Sequence, residues 1–276
     1  MIALPLVMIR GGGDLGTGVA LRLWRARFPV VIAETAAPTL IRRTVAFGTA
    51  VFVGECTVEG IAARRAASAE EVVRMIASGE VPVLVDPDAR SRDALRPAAI
   101  VDAILGKGRP ATRRDDAPVV VGLGPGMTAG SDEDGADVHA VVETLRGHRL
   151  GRVIYRGRAA DDTGVPGEVG GASSARVLRA PADGSLAATR QIGDRVAAGD
   201  AVGSIVGVPV VAGVAGVIRG LLWPGVPATR GMKVGDIDPR GDASVVGEVS
   251  DKALAVGGGA LEAILHFRER WDSRST

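Results

Sequence analysis

The sequence predicts an α/β + β protein: a parallel α/β half over residues 1–149, then a duplicated β-barrel half with a C-terminal helix over residues 150–276. Three observations carry this. A short apolar run at residues 4–9 feeds a glycine turn and an amphipathic segment. A second glycine turn follows another apolar run, at 119–121. Beyond Leu150 helical periodicity gives way to short glycine- and valine-rich segments that repeat at a fixed offset.

The run at 4–9 is of the kind buried on both faces of a parallel sheet. It leads into Gly11-Gly12-Gly13-Asp14-Leu15-Gly16, whose glycines at 11, 13 and 16 match G-x-G-x-x-G. Val19, Ala20, Leu23 and Trp24 then recur at helical spacing, and a second apolar strand, 29–33, ends in Glu34. In such a unit the first glycine permits the tight turn and the second lets a phosphate approach the backbone. The third lets helix and strand pack closely, with the helix N-terminus facing the anion. An acid closing the second strand is where a ribose 2′-hydroxyl is held. This order predicts a Rossmann-like nucleotide-binding domain in which Gly11, Gly12, Gly13, Asp14, Gly16 and Glu34 contact the ligand. Glu34 would repel a 2′-phosphate and so favours an NAD-like ligand.

The alternation continues with a strand at 50–53 and a helix opened by the capping box of Ser68 and Glu71. A strand at 81–85 ends at Asp86, residues 100–105 suit strand or helix, and 119–121 is a further strand. The second glycine loop, 122–130, adds Gly122, Gly124, Gly126 and Thr128 as candidate contacts. Ligands of open parallel sheets collect beyond the strands' C-terminal ends, so both loops and Asp86 are expected on one edge. Two converging loops suit a long ligand or one with several phosphates. A helix is expected over 138–145, placing His139 and Glu143 four apart on one face. They are the weak catalytic candidates, as an acid–base pair or metal ligands, against the plainer reading of a helix ion pair. A helix-borne metal motif would carry a second histidine four positions away, where Gly135 and Glu143 stand.

Composition excludes several classes. Thirty-three basic against 32 acidic side chains, and 3% aromatics, give no footprint for nucleic acid or an anionic membrane. The one cysteine, Cys56, forms no intramolecular disulfide and fits a reducing, cytoplasmic setting. It reads better as a small buried residue than as a carrier of sulfur or selenium. Residues 1–13 lack a basic leader and cleavage site, and the uncharged run 201–218 is broken by Pro209 and glycines. A homo-oligomer stays open.

In the second half, residues 180–205 align without gaps to 212–237 at an offset of 32. The identities include Ala180/Ala212, Gly184/Gly216, Gly193/Gly225, Gly199/Gly231 and Gly203/Gly235. One copy is too small to bury its apolar face, so two must interlock. The pattern resembles the biotinyl/lipoyl-like barrel, whose modified lysine sits on the hairpin between the halves. Here residues 206–209 read VGVP, and Lys233 lies near the end of the second copy. Covalent biotin or lipoate is therefore not expected, and the barrel is read as a scaffold or docking element. Turn formers fill 164–171, and Leu261, Ile264 and Leu265 suggest a helix within 252–271. Asp236, Asp238 and Arg240 stand out as charges in an apolar region, read as exposed turns.

An ordered set of segments, among them VMIRGGGDLGTGVALRL, IRRTVAF, VLVDPDA, VVVGLGPGMTAG, HAVVETLRGHRLGRVI, GVPGEVGG and GMKVGDIDPR, resembles the YqeB-type family. Its members are named as maturation factors of selenium-dependent molybdenum hydroxylases. The resemblance implies an accessory role with a molybdenum hydroxylase as partner, and a bound nucleotide or dinucleotide such as molybdopterin dinucleotide. It singles out residues 11–16, 122–130, His139, Glu143 and residues 146–148, without catalytic roles. Residues 131–136 look like an insertion between the glycine loop and the following element. The competing expectations are an NAD-dependent oxidoreductase and a non-catalytic docking module.

Overall fold

Val- and Ile-rich segments of four or five residues are buried along nearly their whole length, which is the signature of central parallel strands. A computed structural model, describing residues 4–106, 112–162, 164 and 167–271, shows where they go. The chain forms two compact units.

The first unit comprises Met1–Ala36, Phe47–Asp162 and Val249–Thr276. Its strands are β1 (Val7–Arg10), β2 (Val30–Glu34), β3 (Glu55–Val58), β4 (Ile61–Ala66), β5 (Val81–Val85), β6 (Ala99–Asp102), β7 (Val119–Leu123), β8 (Thr128–Ala129), β9 (Ala140–Val142), β10 (Val153–Ile154) and β11 (Gly157–Arg158). Its helices are α1 (Asp14–Arg25), α2 (Ala50–Val53), α3 (Ala69–Ala77), α4 (Arg92–Leu95) and α5 (Asp251–His266). Nine strands make one sheet in the order β10-β9-β7-β6-β1-β2-β5-β4-β3. All neighbours from β9 to β4 are parallel, while β10 and β3 add antiparallel at the two ends. Met8, Ile100, Val120 and Val141 pack with Val72 and Met75 of α3. Val7 and Ile9, the alternate residues of β1, are fully buried on the other face. β8 and β11 pair separately.

Helix α3 starts as its capping box dictates: Ser68 Oγ accepts the Glu71 N–H, and the Glu71 carboxylate accepts the Ala67 N–H. Helix α5 starts at Ser250, whose Oγ accepts the Ala253 N–H. It then packs on α1 with the backbones in contact. A Cβ on Gly257 would lie 2.4 Å from the Gly18 carbonyl oxygen, and one on Gly18 would lie 2.4 Å from that of Ala253.

This architecture corrects the Rossmann-like expectation. The sheet is mixed, and among the described residues no α-helix connects β6 to β7 or β7 to β9. Residues 138–145 do not form a helix: they contain β9, because Val141 and Val142 fit a pleated, fully buried position. Short apolar runs do not reveal by periodicity which of the two they are. The reverse error occurs at residues 50–53, which form α2 in place of a strand. By its contacts the C-terminal helix belongs to the first unit, and the chain changes unit at 36/37, 46/47, 162/163 and 248/249.

The second unit comprises Ala37–Ala46 and Thr163–Glu248. Its strands are β12 (Val177–Arg179), β13 (Gly184–Ser185), β14 (Ala187–Ala188), β15 (Arg195–Val196), β16 (Ala201–Ile205), β17 (Val208–Val211), β18 (Gly216–Leu221), β19 (Pro227–Ala228) and β20 (Lys233–Asp238). Among the described residues they form three small antiparallel sheets, β12-β20-β18-β15, β13-β19 and β14-β16-β17. That corrects the expected biotinyl/lipoyl-like barrel, since no single sheet closes on itself. Two-residue strands and a register shift in both β18–β20 and β16–β17 break the ladders into pieces. Val165 and Pro166 of the turn segment 164–171 lie outside the described residues.

The duplication itself organises the pairing. Ala180 donates to Met232 and accepts from Gly231, while Ala212 donates to Asp200 and accepts from Gly199. These are the same bonds displaced by the repeat offset, each running from one copy to the other.

The α1–α5 contact generates a stability prediction. Gly257→Val should lower the unfolding free energy by about 2 kcal/mol or more through overpacking. Gly258→Ala, one residue on and facing open space, should raise it by about 0.5–1 kcal/mol through helix propensity. Urea denaturation of both variants checks the pair.

Candidate functional site

Because β1, β2, β5, β6, β7 and β9 are parallel, their C-terminal ends share one edge, and the loops carrying both glycine turns and Asp86 leave from it. The edge is built from what each strand end needs.

After β1 the chain turns at Gly11, which has φ +97°. The Gly11 N–H bonds to the Ala33 carbonyl of β2. Gly12 donates to Glu34 Oε2 at 2.7 Å, and its carbonyl accepts the Gly48 N–H at 2.8 Å. Gly16 approaches so closely that a Cβ would lie 2.0 Å from the Gly11 oxygen. Gly12 is thus spent inside the protein. Gly13 is the N-cap of α1, and Asp14 Oδ1 accepts the Leu15 N–H at 3.0 Å. Among the described residues, the N–H groups of Gly13, Asp14 and Gly16 have no protein acceptor. These are the donors a helix N-terminus offers an anion.

Four carboxylates at this edge each hold a loop. Glu34 accepts from Gly12 and, through Oε1, from Thr35 at 2.7 Å. Asp86 accepts from Arg90 and Ser91 at 2.9 and 2.8 Å. Burial works to raise its pKa, but the Ser91 and Arg90 hydrogen bonds and the Arg10 charge hold it below the ordinary carboxylate value. Asp102 accepts the Ile104 N–H at 3.0 Å and the Thr112 hydroxyl. Glu143 accepts from Leu145 at 2.7 Å and Ala160 at 2.8 Å.

Arg10 closes β1 in the middle of them, 5% exposed. It pairs in register with Asp102, donates to Thr112 Oγ1 at 2.5 Å and to the Pro87 carbonyl at 2.9 Å, and leaves Nε without a partner. Here the strand order reverses direction: β2 lies on one side of β1 and β6 on the other. Sequence reasoning missed Arg10, Asp102 and Thr112. The available signal was a charged residue ending each of two otherwise apolar runs. Beside Glu34, which faces Val85 in register, a cleft of about 840 Å3 opens between Val53, Arg64, Arg65, Glu71, Leu84 and Val85.

The second glycine loop is different. No helix follows it. Met127 packs over Gly122, Thr144 packs against Gly124, and Asp137 accepts the Thr128 N–H at 2.9 Å. Gly126 has φ +100° and serves the turn. Its backbone therefore lacks the helix N-terminus that supports the first loop.

His139 and Glu143 are not a pair. Four residues of extended chain separate them by roughly 13 Å, and the Glu143 oxygens are engaged elsewhere. His139 is buried, its Nδ1 accepts the Val120 N–H at 3.0 Å, and Phe267 packs edge-on. Burial, then the Arg114 and Arg270 charges, push its pKa down to about 4. Among the described residues no group of three or more His, Cys, Asp or Glu side chains is placed to hold a metal. No helix among them is long and apolar enough to cross a membrane. Cys56 is half-buried, with Sγ 3.6 Å from the Phe47 carbonyl, and burial pushes its thiol up to about 11.

A curated Escherichia coli (strain K12) protein described as "Uncharacterized protein YqeB" is 50% identical to this chain over 260 residues. The match covers 94% of this chain and 47% of that protein, so the chain spans about half the length of its curated relative. Over that span the chain is similar to YqeB, the protein whose family its ordered segments resemble. No family model matches it. Among solved structures, a succinylglutamate desuccinylase/aspartoacylase from Rhodobacter sphaeroides aligns at 13% identity and TM-score 0.27, over 85% of this chain and 86% of its own. An aspartoacylase family protein from Mesorhizobium loti aligns at 11% and 0.24, over 85% and 84%. Likenesses this weak carry no conclusion about activity.

Two predictions follow from the buried groups. Between pH 6.5 and about 4 the unfolded chain binds a proton at His139 that the folded protein refuses. Its contribution to stability is therefore complete above pH 6.5 and falls as the pH drops through that window. Urea midpoints of wild type and His139→Gln, measured across it, should fall more steeply for the wild type. Cys56, its pKa raised from 9.0 to about 11, should react with iodoacetamide roughly 100-fold more slowly near neutral pH than an ordinary cysteine. Alkylation followed by intact-mass spectrometry measures this.

Proposed function

We propose that the sheet edge around Arg10 and the N-terminus of α1 binds the anionic part of a nucleotide-containing cofactor. We further propose that the protein uses this site as a cytoplasmic accessory factor in the maturation of molybdenum hydroxylases. Arg10 is the observation that carries the binding half. A guanidinium this buried that keeps Nε without a protein acceptor has a donor left for an anion to complete. It sits at the reversal point of the strand order, where open sheets of this kind take their ligands. The acceptor-free N–H groups of Gly13, Asp14 and Gly16 lie on the next turn of chain, suited to a pyrophosphate such as that of molybdopterin dinucleotide or NAD. Glu34 keeps a lone pair on each oxygen for ribose hydroxyls. The maturation half rests on the resemblance of the ordered segments alone.

The oxidoreductase alternative has less behind it. His139, cast there as proton donor, has a depressed pKa and an Nδ1 engaged by the backbone.

Calorimetric titration with molybdopterin dinucleotide, NAD and ADP tests the proposal. At least one should bind, and Arg10→Met should weaken it tenfold or more while the thermal transition stays cooperative. Unchanged affinity in Arg10→Met removes the site. Binding of NAD alone, with no response to molybdopterin dinucleotide, removes the maturation role and leaves the site standing.

A further inference from the structure

The second unit carries its own buried charge cluster. Asp236, 3% exposed, pairs with Arg176 and lies 3.5 Å from Lys233. Asp238, fully buried, takes a two-pronged contact from Arg240, with Nε–Oδ1 at 2.9 Å and Nη2–Oδ2 at 2.6 Å. Both carboxylates thus have their own cations. Arg219 has none. It sits at the register shift of β18 opposite β20, between Ile218, which faces Ile237, and Gly220, which faces Asp236. It is 8% exposed, and its Nε has no hydrogen-bond partner. Its charge is felt nearby: the Arg240 hydrogen bond comes first, but Arg219 also helps hold Asp238 below the usual carboxylate range.

The internal repeat shows that a strand pair of this kind does not require Arg219 or Asp236. At the same offset, the first copy has Ala187 for Arg219 and Ser204 for Asp236. Ala187 and Ser204 pair directly across β14 and β16, with nothing charged between them. A strand pair that folds with alanine and serine in one copy has acquired a buried, cation-rich version in the other. A buried guanidinium N–H left without an acceptor is costly, and a purely structural role would be met by an acceptor within bonding distance. We propose that Arg219 is the anchor of an oxyanion site in the second unit, binding the carboxylate or phosphate head of a small ligand. The charges of Arg176 and Arg240 would back it while remaining tied to their own aspartates. This proposal does not depend on the assignment of the sheet edge around Arg10.

The experiment uses the full chain labelled at arginine side-chain nitrogens, titrated with sodium phosphate and, separately, sodium acetate at constant ionic strength. One Nε–H resonance, absent from the spectrum of Arg219→Met, should shift saturably, and should still do so in Arg10→Met. The more effective salt identifies the head group. The wild-type melting temperature should rise by roughly 3 °C once that anion is about tenfold above its Kd, with no rise in Arg219→Met. If Arg219→Met does not fold, Arg219→Lys serves for the assignment and retains a weakened response. An Nε signal indifferent to both anions, or an equal melting shift in wild type and variant, overturns the proposal.

Discussion

A parallel strand ends by handing its chain to a loop whose first N–H groups have no ladder to join, and in the larger unit a carboxylate takes them up. Glu34, Asp86, Asp102 and Glu143 each stand at the last residue of a strand or one beyond it, and each accepts two donors. Such charge-assisted bonds are roughly twice as strong as neutral ones, which is how acids tolerate near-complete burial. Four loops are thereby fixed to the sheet at one edge. The edge is a firm platform because its negative charges are already bound, and Arg10 closes β1 between two of those strands.

This arrangement explains what could be read from the chain and what could not. The turn at residues 11–16, the helix behind it and the acid closing β2 are local, with spacing set by one turn and one crossover, and they form where the pattern puts them. The capping box of α3 is equally local. The role of Glu34 was legible only as far as its position: whether its oxygens face a ribose or the Gly12 N–H depends on a contact 22 residues away. Residues 138–145 failed for a different reason. Their apolar density suits a helix or a buried strand equally, and the choice is made by β7, whose Val121 and Leu123 stand opposite Ala140 and Val142. The docking of α5 on α1 was invisible to amphipathic reasoning, although three consecutive glycines inside a helix are a signal that another backbone comes close.

In the smaller unit the repeat was legible because identity at a fixed offset does not depend on knowing the fold. Ala180 with Gly231 and Ala212 with Gly199 make the same backbone bonds, once in each direction, and both glycines take a positive φ, +82° and +94°. What the repeat did not disclose is closure. Hydrogen bonds across two-residue strands cannot distinguish one continuous barrel from separate small sheets until the registers are known, and the shifts at Leu178/Arg179, Ala201/Gly203 and Ile218/Gly220 separate them. Charges read as exposed turns, Asp236 and Asp238, turned out to be the most buried polar groups of the unit. A residue's alternation along β20 places it on a face, but only the partner strands decide whether that face is covered.

The anionic ligand proposed for this edge would share it with four carboxylates, and position would keep the two apart. Glu34 closes β2 on one side of the α1 N-terminus, and Asp102 closes β6 beside Arg10 on the other. A phosphate approaching over β2 would meet the carboxylate that already caps Gly12. One approaching over β1 would meet the open N–H groups of Gly13, Asp14 and Gly16, with the positive end of the helix behind them. Hydroxyls are favoured at Glu34, whose oxygens accept but cannot donate, and phosphates toward Arg10, which donates but cannot accept. Under the proposal, a nucleotide laid along the edge would satisfy both with its ribose toward β2 and its phosphates toward β6. The same polarity disfavours a 2′-phosphorylated ribose, because its extra charge would fall on Glu34.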